Sequence, residues 1–367
     1  MSSREKTRPK VVAALIGGGF MGDVHSRALR AAGIPIAGIA SSSLASAQRA
    51  ADTLALPRAY RSANELLGDD SVNLVHVLTP NASHEELVLQ ALDAGKHVVC
   101  EKPLAVSSAS ARRMQQRAAQ LGRVAAVPFV YRFHSMAREA KSQIERGQLG
   151  KLFSVRGEYL QDWLLNPADT NWRVNAAQGG ASRTFADIGI HLCDLLEFVC
   201  GDRIETLVAQ TRSVYSERAG KPVDTEDLVA VMARLRGGAL VSLLVSQVAA
   251  GHKNGLVLEV HGSAAALRFE QERPDVLWFG GQARSTSMPR DPNQLDPSAQ
   301  RHTFLPAGHP EGYLDAFTRF VRDVSLAIEN EAPVGLPNFS DGVRASLLTE
   351  AVLESATTGE WISIPES

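Results

Sequence analysis

The chain has 367 residues, of which 44% are apolar and 21% charged, and its formal charge at pH 7 is -2. That length predicts two domains with ample material for their cores. The near-balanced charge excludes a nucleic-acid binder that works by neutralising phosphates, and favours a small molecule as partner.

MSSREKTRPK, at the start, is polar and charged. The apolar VVAALIGGGF behind it is too short to span a bilayer. It runs into glycine turn chemistry rather than a cleavage pattern, so it reads as a strand and no membrane partner is expected. From residue 10 to about 131, short β-branched runs alternate with amphipathic stretches. KVVAALIG, IPIAGIAS, VNLVHVLTP, HVVCEKPL and VAAVPFVYRF are predicted strands; DVHSRALRAAG, LASAQRAADTLA, SHEELVLQALDAG and SSASARRMQQRAAQLG are predicted helices. Near-continuous apolar strands separated by helices predict an α/β unit, a doubly wound parallel sheet covered on both faces.

Beyond residue 150 the texture changes. KLFSVRGEYL, RIETLVAQTRSVY, TEDLVAVMARL, GALVSLLVSQVA, GLVLEVHGS and AALRFEQE read as strands, several joined by short turns such as RGG. They predict a large, mostly antiparallel sheet. FADIGIHLCD opens a helix ahead of this run, and GYLDAFTRFVRDVSLAIEN and DGVRASLLTEAVLESATTG supply two more, which makes the second domain α+β, a helix layer on one open sheet. Residues 280–312, rich in Pro, Ser, Asp and Asn, form the longest expected loop. The boundary is placed between a dinucleotide-binding domain, 1–131, and a substrate-binding and oligomerisation domain, 132–367. Cys100, Cys193 and Cys200 sit in apolar runs without metal-ligand spacing, which points to a reduced, cytoplasmic compartment.

The motifs with chemical content fall at strand ends. GGGFMG follows the first strand and opens the first helix. Gly17 permits the tight turn, Gly19 lets the backbone approach a pyrophosphate, and Gly22 lets helix and strand pack closely. Phe20 and Met21 lie between them as further cofactor contacts. The acid expected about 20 residues on to hold a ribose hydroxyl is missing, since the second strand ends in Ala40-Ser41-Ser42-Ser43. Ser41 and Ser42 are therefore where a preference for NAD or NADP is decided. In LTPNASHEE, Thr79 and Asn81 are placed to bond a dinucleotide, Pro80 shapes the turn, and His84 either caps the next helix or touches the cofactor. In CEKPL, Glu101 and Pro103 aim Lys102 across the crevice.

In FADIGIHLCD, at 100° per residue, Asp187, His191 and Asp194 share one narrow helix face beside an apolar stripe of Ile188, Leu192, Leu195, Leu196 and Val199. Such a face is either solvated or lines a site; a metal site from these three is the less favoured reading, because nothing nearby supplies a fourth ligand.

GGGFMG, TPNASH, CEKPL and DIGIH, in this order and at these spacings over nearly the whole chain, resemble the glucose–fructose oxidoreductase/inositol dehydrogenase family, also called GFO/IDH/MocA. The resemblance implies an N-terminal Rossmann domain and a C-terminal α+β domain whose open sheet mediates oligomers, here a homodimer or homotetramer. It also implies hydride transfer between NAD(P) and a sugar or cyclitol carbon, with the family's catalytic lysine on Lys102 and its aspartate and histidine on Asp187 and His191. Chemically these roles are coherent. Oxidising an alcohol needs a base within about 3 Å of the hydroxyl, which suits His191. Lys102 stabilises a developing alkoxide, Asp187 bonds the substrate or orients His191, and Asp194 bonds either an arginine or backbone group or the substrate.

The loop QDWLLNPADTNWRVNAAQGGAS, residues 161–182, places Trp163 and Trp172 before that helix. Their indoles suit the C–H faces of a sugar ring, and Asn171 and Arg173 suit its hydroxyls; burial at a domain edge or a subunit interface is the competing use. Tyr131 and Arg132 either line the cleft or join the domains, and His309 is a further pocket candidate. The expected activity is an NAD(P)-dependent dehydrogenase of a monosaccharide, anhydrosugar or cyclitol. Its competitors are a redox-assisted glycosidase and a catalytically silent dinucleotide-binding regulator.

Overall fold

A five-stranded parallel sheet in the order β2-β1-β3-β4-β5 forms the first half of the molecule. The computed structural model describes residues 11–366; Lys10, at the head of the expected first strand, lies outside them. The first half runs β1 (Ala13–Ile16), α1 (Phe20–Ala31), β2 (Ile36–Ala40), α2 (Leu44–Leu54), α3 (Ala63–Leu67), β3 (Leu74–Val77), α4 (His84–Asp93), β4 (His97–Cys100), α5 (Ser108–Gln120) and β5 (Ala125–Ala126). All residues of β1 and β3 are buried, as strands covered on both faces must be. Serine side chains start the helices: Ser43 accepts from Ser46 N–H, Ser62 from Glu65 N–H and Ser107 from Ser110 N–H.

The fifth strand is shorter than VAAVPFVYRF predicts. Pro128 removes a ladder donor, and Val130–Phe133 close into a 3-10 turn. Next come α6 (Ser135–Glu145), a helix that the expected elements lacked, and β6 (Leu152–Leu160). α7 (Ala176–Gly179), α8 (Ile190–Cys200), β7 (Ile204–Arg212), β8 (Glu217–Arg218), β9 (Lys221–Pro222), β10 (Leu228–Leu235), β11 (Leu240–Ser246), β12 (Gly255–Gly262), β13 (Ala265–Glu270), β14 (Val276–Gly281), β15 (Ser285–Pro289), α9 (Pro297–Gln300), α10 (Tyr313–Ile328), α11 (Phe339–Thr358) and β16 (Ile362–Ser363) complete the chain. The stretch expected to be one long loop thus contains the end of β14, all of β15, and α9.

The second sheet has nine strands in the order β15-β14-β13-β12-β6-β11-β10-β7-β16. Its pairs are antiparallel except β6 with β11, which run parallel. Along most of β10 and β11 residues alternate between buried and exposed, so one face packs on helices while Met232, Leu240 and Leu244 stand on the other.

α10 departs from the expected helix layer on this sheet. Its Phe317, Phe320, Val321 and Val324 share a buried cluster with Leu15, Val24, Ala28 and Leu29, so it covers α1 of the parallel-sheet half. The three cysteines are free and buried. Among the described residues no helix is long and apolar enough to cross a membrane.

Candidate active site

The order β2-β1-β3 places a topological switch point between β1 and β3, where open α/β sheets bind ligands. Gly17 leaves β1 with φ +110°, and a Cβ there would lie 2.6 Å from the carbonyl oxygen of Leu78, just past β3. A side chain at Gly17 would therefore fail twice, on conformation and on space. A Cβ on Gly19 would meet nothing within 4 Å, so this residue faces open space at the start of α1. Gly19 is also the cap of α1 and supplies no side-chain bond, which leaves the first amides of the helix for a ligand. Gly22 lies behind, in close packing with the Gly17 carbonyl.

The cleft above them has a volume of about 560 Å³ and is lined by Gly17, Gly19, Phe20, Met21, Ser41, Ser42, Thr79, Pro80, Asn81, Glu101 and Lys102. These residues meet in one place, and the open cradle of bare amides at Gly19 and the start of α1 fits a dinucleotide diphosphate. His84 does not join them. It is fully buried, with Nδ1 3.0 Å from the Pro103 carbonyl and Nε2 2.9 Å from that of Thr79, and it ties the turn after β3 to the turn after β4.

Lys102 follows β4, and its bond to Pro103 is cis. Its ammonium donates to Oδ1 and to the backbone carbonyl of Asp187, both at 2.8 Å. Arg173 Nε reaches the same Oδ1 at 3.1 Å, and Gln247 Nε2 donates to Oδ2 at 2.9 Å. Burial alone would raise the Asp187 carboxyl, but Lys102 and Arg173 outweigh it and hold the group far below the usual carboxylate range. His191 is shifted the same way for a different reason. Burial and the Lys102 cation hold its imidazole well below the ordinary value, against the pull of Asp187, so the ring is neutral at neutral pH. Its Nδ1 is buried and the ring packs edge-on against Phe129 and Tyr131, which leaves Nε2 as the nitrogen nearer the pocket.

The shared face of Asp187, His191 and Asp194 survives only in part. Phe185–Gly189 form a π-turn, which breaks the 100° spacing before α8 begins. Of the two uses open to Asp194 the structure has the bond to an arginine, Arg132, whose guanidinium also donates to Asp341 at 2.8 Å. Arg132 and Asp194 therefore join segments away from the pocket.

The substrate-sized pocket, about 650 Å³, lies between this cluster and the second sheet. Tyr131, Trp163, Arg173, Asp187 and His191 line it as expected, together with Tyr159, Gln161, Asn254 and Tyr313. These side chains are already bonded to one another. Tyr131 and Tyr159 share a hydroxyl contact of 2.5 Å, Tyr159 donates to Asn254 Oδ1 at 2.6 Å, Gln161 donates to the same oxygen at 3.0 Å, and Trp163 donates to Gln161 at 2.9 Å. Burial holds the Tyr131, Tyr159 and Tyr313 phenols above their ordinary value, so the wall is uncharged. Trp172 belongs to the cofactor cleft rather than to this pocket, with the Arg173 guanidinium 4.4 Å over its ring. His309 is exposed and its carbonyl binds Arg290, away from both cavities. Phe20, Met21, Lys102, Asn171 and Arg173 line both cavities, so the two open onto each other.

Comparison with known proteins bears on this pair of cavities. Residues 11–129 match the oxidoreductase family with an NAD-binding Rossmann fold, and residues 137–268 match the GFO/IDH/MocA C-terminal domain. The chain belongs to the GFO/IDH/MocA family. A levoglucosan dehydrogenase of Pseudarthrobacter phenanthrenivorans is 29% identical over 96% of this chain and 97% of its own. The crystal structure of an oxidoreductase domain protein from Kribbella flavida is 32% identical with a TM-score of 0.89, covering 97% of this chain and 100% of that one. A levoglucosan dehydrogenase solved with NADH and levoglucosan superimposes with a TM-score of 0.91 at 29% identity, covering 97% of this chain and 100% of its own.

For this member of the GFO/IDH/MocA family, sequence reasoning missed Tyr159, Gln161, Asn254, Tyr313 and Gln247. Tyr159 and Gln161 straddle the end of β6, and Gln247 follows β11, which pairs with β6 in parallel. A polar residue just past a buried strand was the available signal, and it is a weak one.

Proposed function

We propose that this chain is an NAD(P)-dependent dehydrogenase, reversible in principle, that oxidises a secondary or anomeric hydroxyl of an uncharged monosaccharide, anhydrosugar or cyclitol. The carrying observation is the convergence of Lys102, Asp187 and His191 where a pocket of neutral hydrogen-bonding groups opens onto a dinucleotide cleft. A bound nicotinamide dinucleotide supplies the hydride acceptor. Neutral His191 takes the hydroxyl proton through Nε2, as general base, in the tautomer that carries its own proton on the buried Nδ1 at the cost of leaving that N–H without an acceptor. Lys102, held by two bonds to Asp187, presents a fixed cation to the developing alkoxide. Asp187 positions Lys102 and Arg173 and has no oxygen left over for a base role. The cations that line the pocket, Lys102 and Arg173, are both tied to Asp187, while the far wall of Tyr131, Tyr159, Gln161, Trp163 and Asn254 carries no charge to fix a substrate phosphate.

The cofactor choice follows from what borders the ribose end. The turn after β2 offers neither a carboxylate to repel a 2′-phosphate nor an arginine to grip one; Ser41 and Ser42 stand there, with Ser41 Oγ 3.1 Å from Ser46 Oγ. Both NAD and NADP are accepted in this reading, with efficiencies within about tenfold, roughly the weight of one hydrogen bond. Residues 1–131 form a dinucleotide-binding domain whose cleft Asn171, Trp172 and Arg173 complete, and residues 132–367 supply most of the substrate wall and the subunit contact. A homodimer or homotetramer forms through the open sheet face, where Met232 is 60% and Leu240 54% exposed. Three free, buried thiols suit a reducing cytoplasm.

The test is nicotinamide absorbance on mixing the protein with NAD or NADP and a panel of aldoses, cyclitols, anhydrosugars, glycosides and sugar phosphates, with Lys102→Ala as control. Reduction with neutral substrates that vanishes in the control supports the reading. Glycoside cleavage without net reduction overturns it in favour of the redox-assisted glycosidase, and cofactor binding without turnover overturns it in favour of the silent regulator. Light scattering reads the oligomer.

A further inference from the structure

Beneath the cofactor cleft, three buried side chains from three elements form one hydrogen-bond chain that the proposed chemistry does not use. His76 on β3 and His25 on α1 are both fully buried, and Glu101 at the end of β4 is 5% exposed. The Nδ1 atoms of His25 and His76 are 2.8 Å apart, and His25 Nε2 is 2.9 Å from Glu101 Oε1. The other carboxylate oxygen, Oε2, accepts the backbone N–H of Lys102 at 3.1 Å. Phe317 of α10 closes the site with its ring edge-to-face on His25, and His76 Nε2 has no partner.

Two ring nitrogens at 2.8 Å share one proton, so one donates and the other accepts. The rest of the chain fixes which. Burial would raise the Glu101 carboxyl, but the bond from His25 and the Lys102 charge hold it below its ordinary value, so it is ionised. An ionised Glu101 requires a donor at His25 Nε2. His76 Nε2 is buried without an acceptor, so His76 carries its proton on Nδ1 and donates it to a bare His25 Nδ1. Running the chain in the opposite direction would bury an unmatched N–H at His76 Nε2 and require a protonated Glu101. Unmatched buried N–H groups are the costlier kind.

We propose that His76 and His25 are positioning residues for the lysine turn: the proton on His76 Nδ1 fixes the His25 tautomer, His25 clamps Glu101, and Glu101 holds the Lys102 backbone against α1. Because α1 also presents its N-terminus to the cleft, the clamp ties the anion-binding amides to the catalytic cation through side chains rather than through the sheet. The catalytic consequence rests on the role proposed for Lys102; the proton arrangement does not.

Two measurements on the full chain test this. Nitrogen-15 NMR of the histidine rings, assigned with single variants, is expected to show His76 protonated on Nδ1 and His25 on Nε2. A doubly protonated His25, or a proton on His76 Nε2, overturns the arrangement. The second compares His76→Asn, whose amide N–H takes the place of Nδ1–H, with His76→Leu, which has similar size and no donor. His76→Asn is expected to keep kcat within about threefold of the parent, while His76→Leu lowers kcat at least tenfold with cofactor Kd and KM within about twofold. Equal loss in both variants, or none in His76→Leu, overturns the positioning role. If His76→Leu fails to fold, the ring NMR of the unsubstituted protein decides; if no sugar is turned over, the functional reading fails and the same spectra still judge the clamp.

Discussion

The two cavities that meet at Lys102 are built by different means. The cofactor cleft is made mostly of backbone and short turns: a left-handed Gly17, the bare amides of α1, and strand ends at a switch point. The substrate pocket is made of long side chains from β6, the segment before β12, the 3-10 turn after β5 and the start of α10, bonded to one another before any ligand arrives. A cleft of amides recognises whatever carries a diphosphate. A wall of pre-bonded hydroxyls and amides recognises one pattern of hydroxyls, so it is where relatives of the same fold can diverge in substrate.

That contrast breaks most sharply at the junction. His191→Ala is expected to lower kcat by about 10²- to 10⁴-fold with cofactor affinity unchanged, since the general base goes and the cleft stays; stopped-flow hydride transfer and nicotinamide fluorescence read the two separately. Lys102→Ala is expected to cost about 10²- to 10³-fold in kcat. It also leaves Asp187 short of its main cation, so the variant should lose thermal stability as well.

On the wall, Asn254→Ala removes the acceptor shared by Tyr159 and Gln161, and substrate KM is expected to rise about tenfold with little change in cofactor KM. Equal changes in both constants would erase the distinction between the cavities. On the cleft side, Ser41→Asp should shift the NADP to NAD efficiency ratio about tenfold towards NAD, through repulsion of the 2′-phosphate, and leave the sugar panel unaltered. The mildest expectation concerns pH. His191 has a depressed value in the fold, so it loses its base function only as pH falls through that low value; kcat/KM should be flat between about pH 6 and 8, with its acid limb below. An acid limb above pH 7 would assign the base elsewhere.

The difference in construction also explains what could be read beforehand. A backbone site leaves contiguous traces, and GGGFMG, TPNASH and CEKPL hold much of the cleft lining, while Asn171, Trp172 and Arg173 join it from a distant loop; His84, left open between a cap and a cofactor contact, does neither, because a histidine in a first helical turn can bond two carbonyls as readily as a ligand. Asp187 and His191 were found, but the face they were thought to share with Asp194 assumed an unbroken α-helix, and periodicity cannot foresee a π-turn. Tyr159, Gln161, Asn254 and Tyr313 converge from positions far apart in the chain, and no local pattern records that. Among the elements, the buried parallel strands were clear, while α6 and β15 were not: the first has a polar, charge-rich sequence, and the second is a largely exposed edge strand with two serines and a terminal proline.

α10 carries a consequence for the life history of the chain. Because Phe317, Phe320 and Val324 complete the cluster that includes Val24 and Leu29, the nucleotide-binding half lacks part of its covering until residues 313–328 have left the ribosome. Division of labour between the two halves therefore does not coincide with independence in folding. A fragment ending at residue 131 would expose an apolar side of α1, and a soluble nucleotide-binding fragment would need that later helix supplied in trans or grafted on.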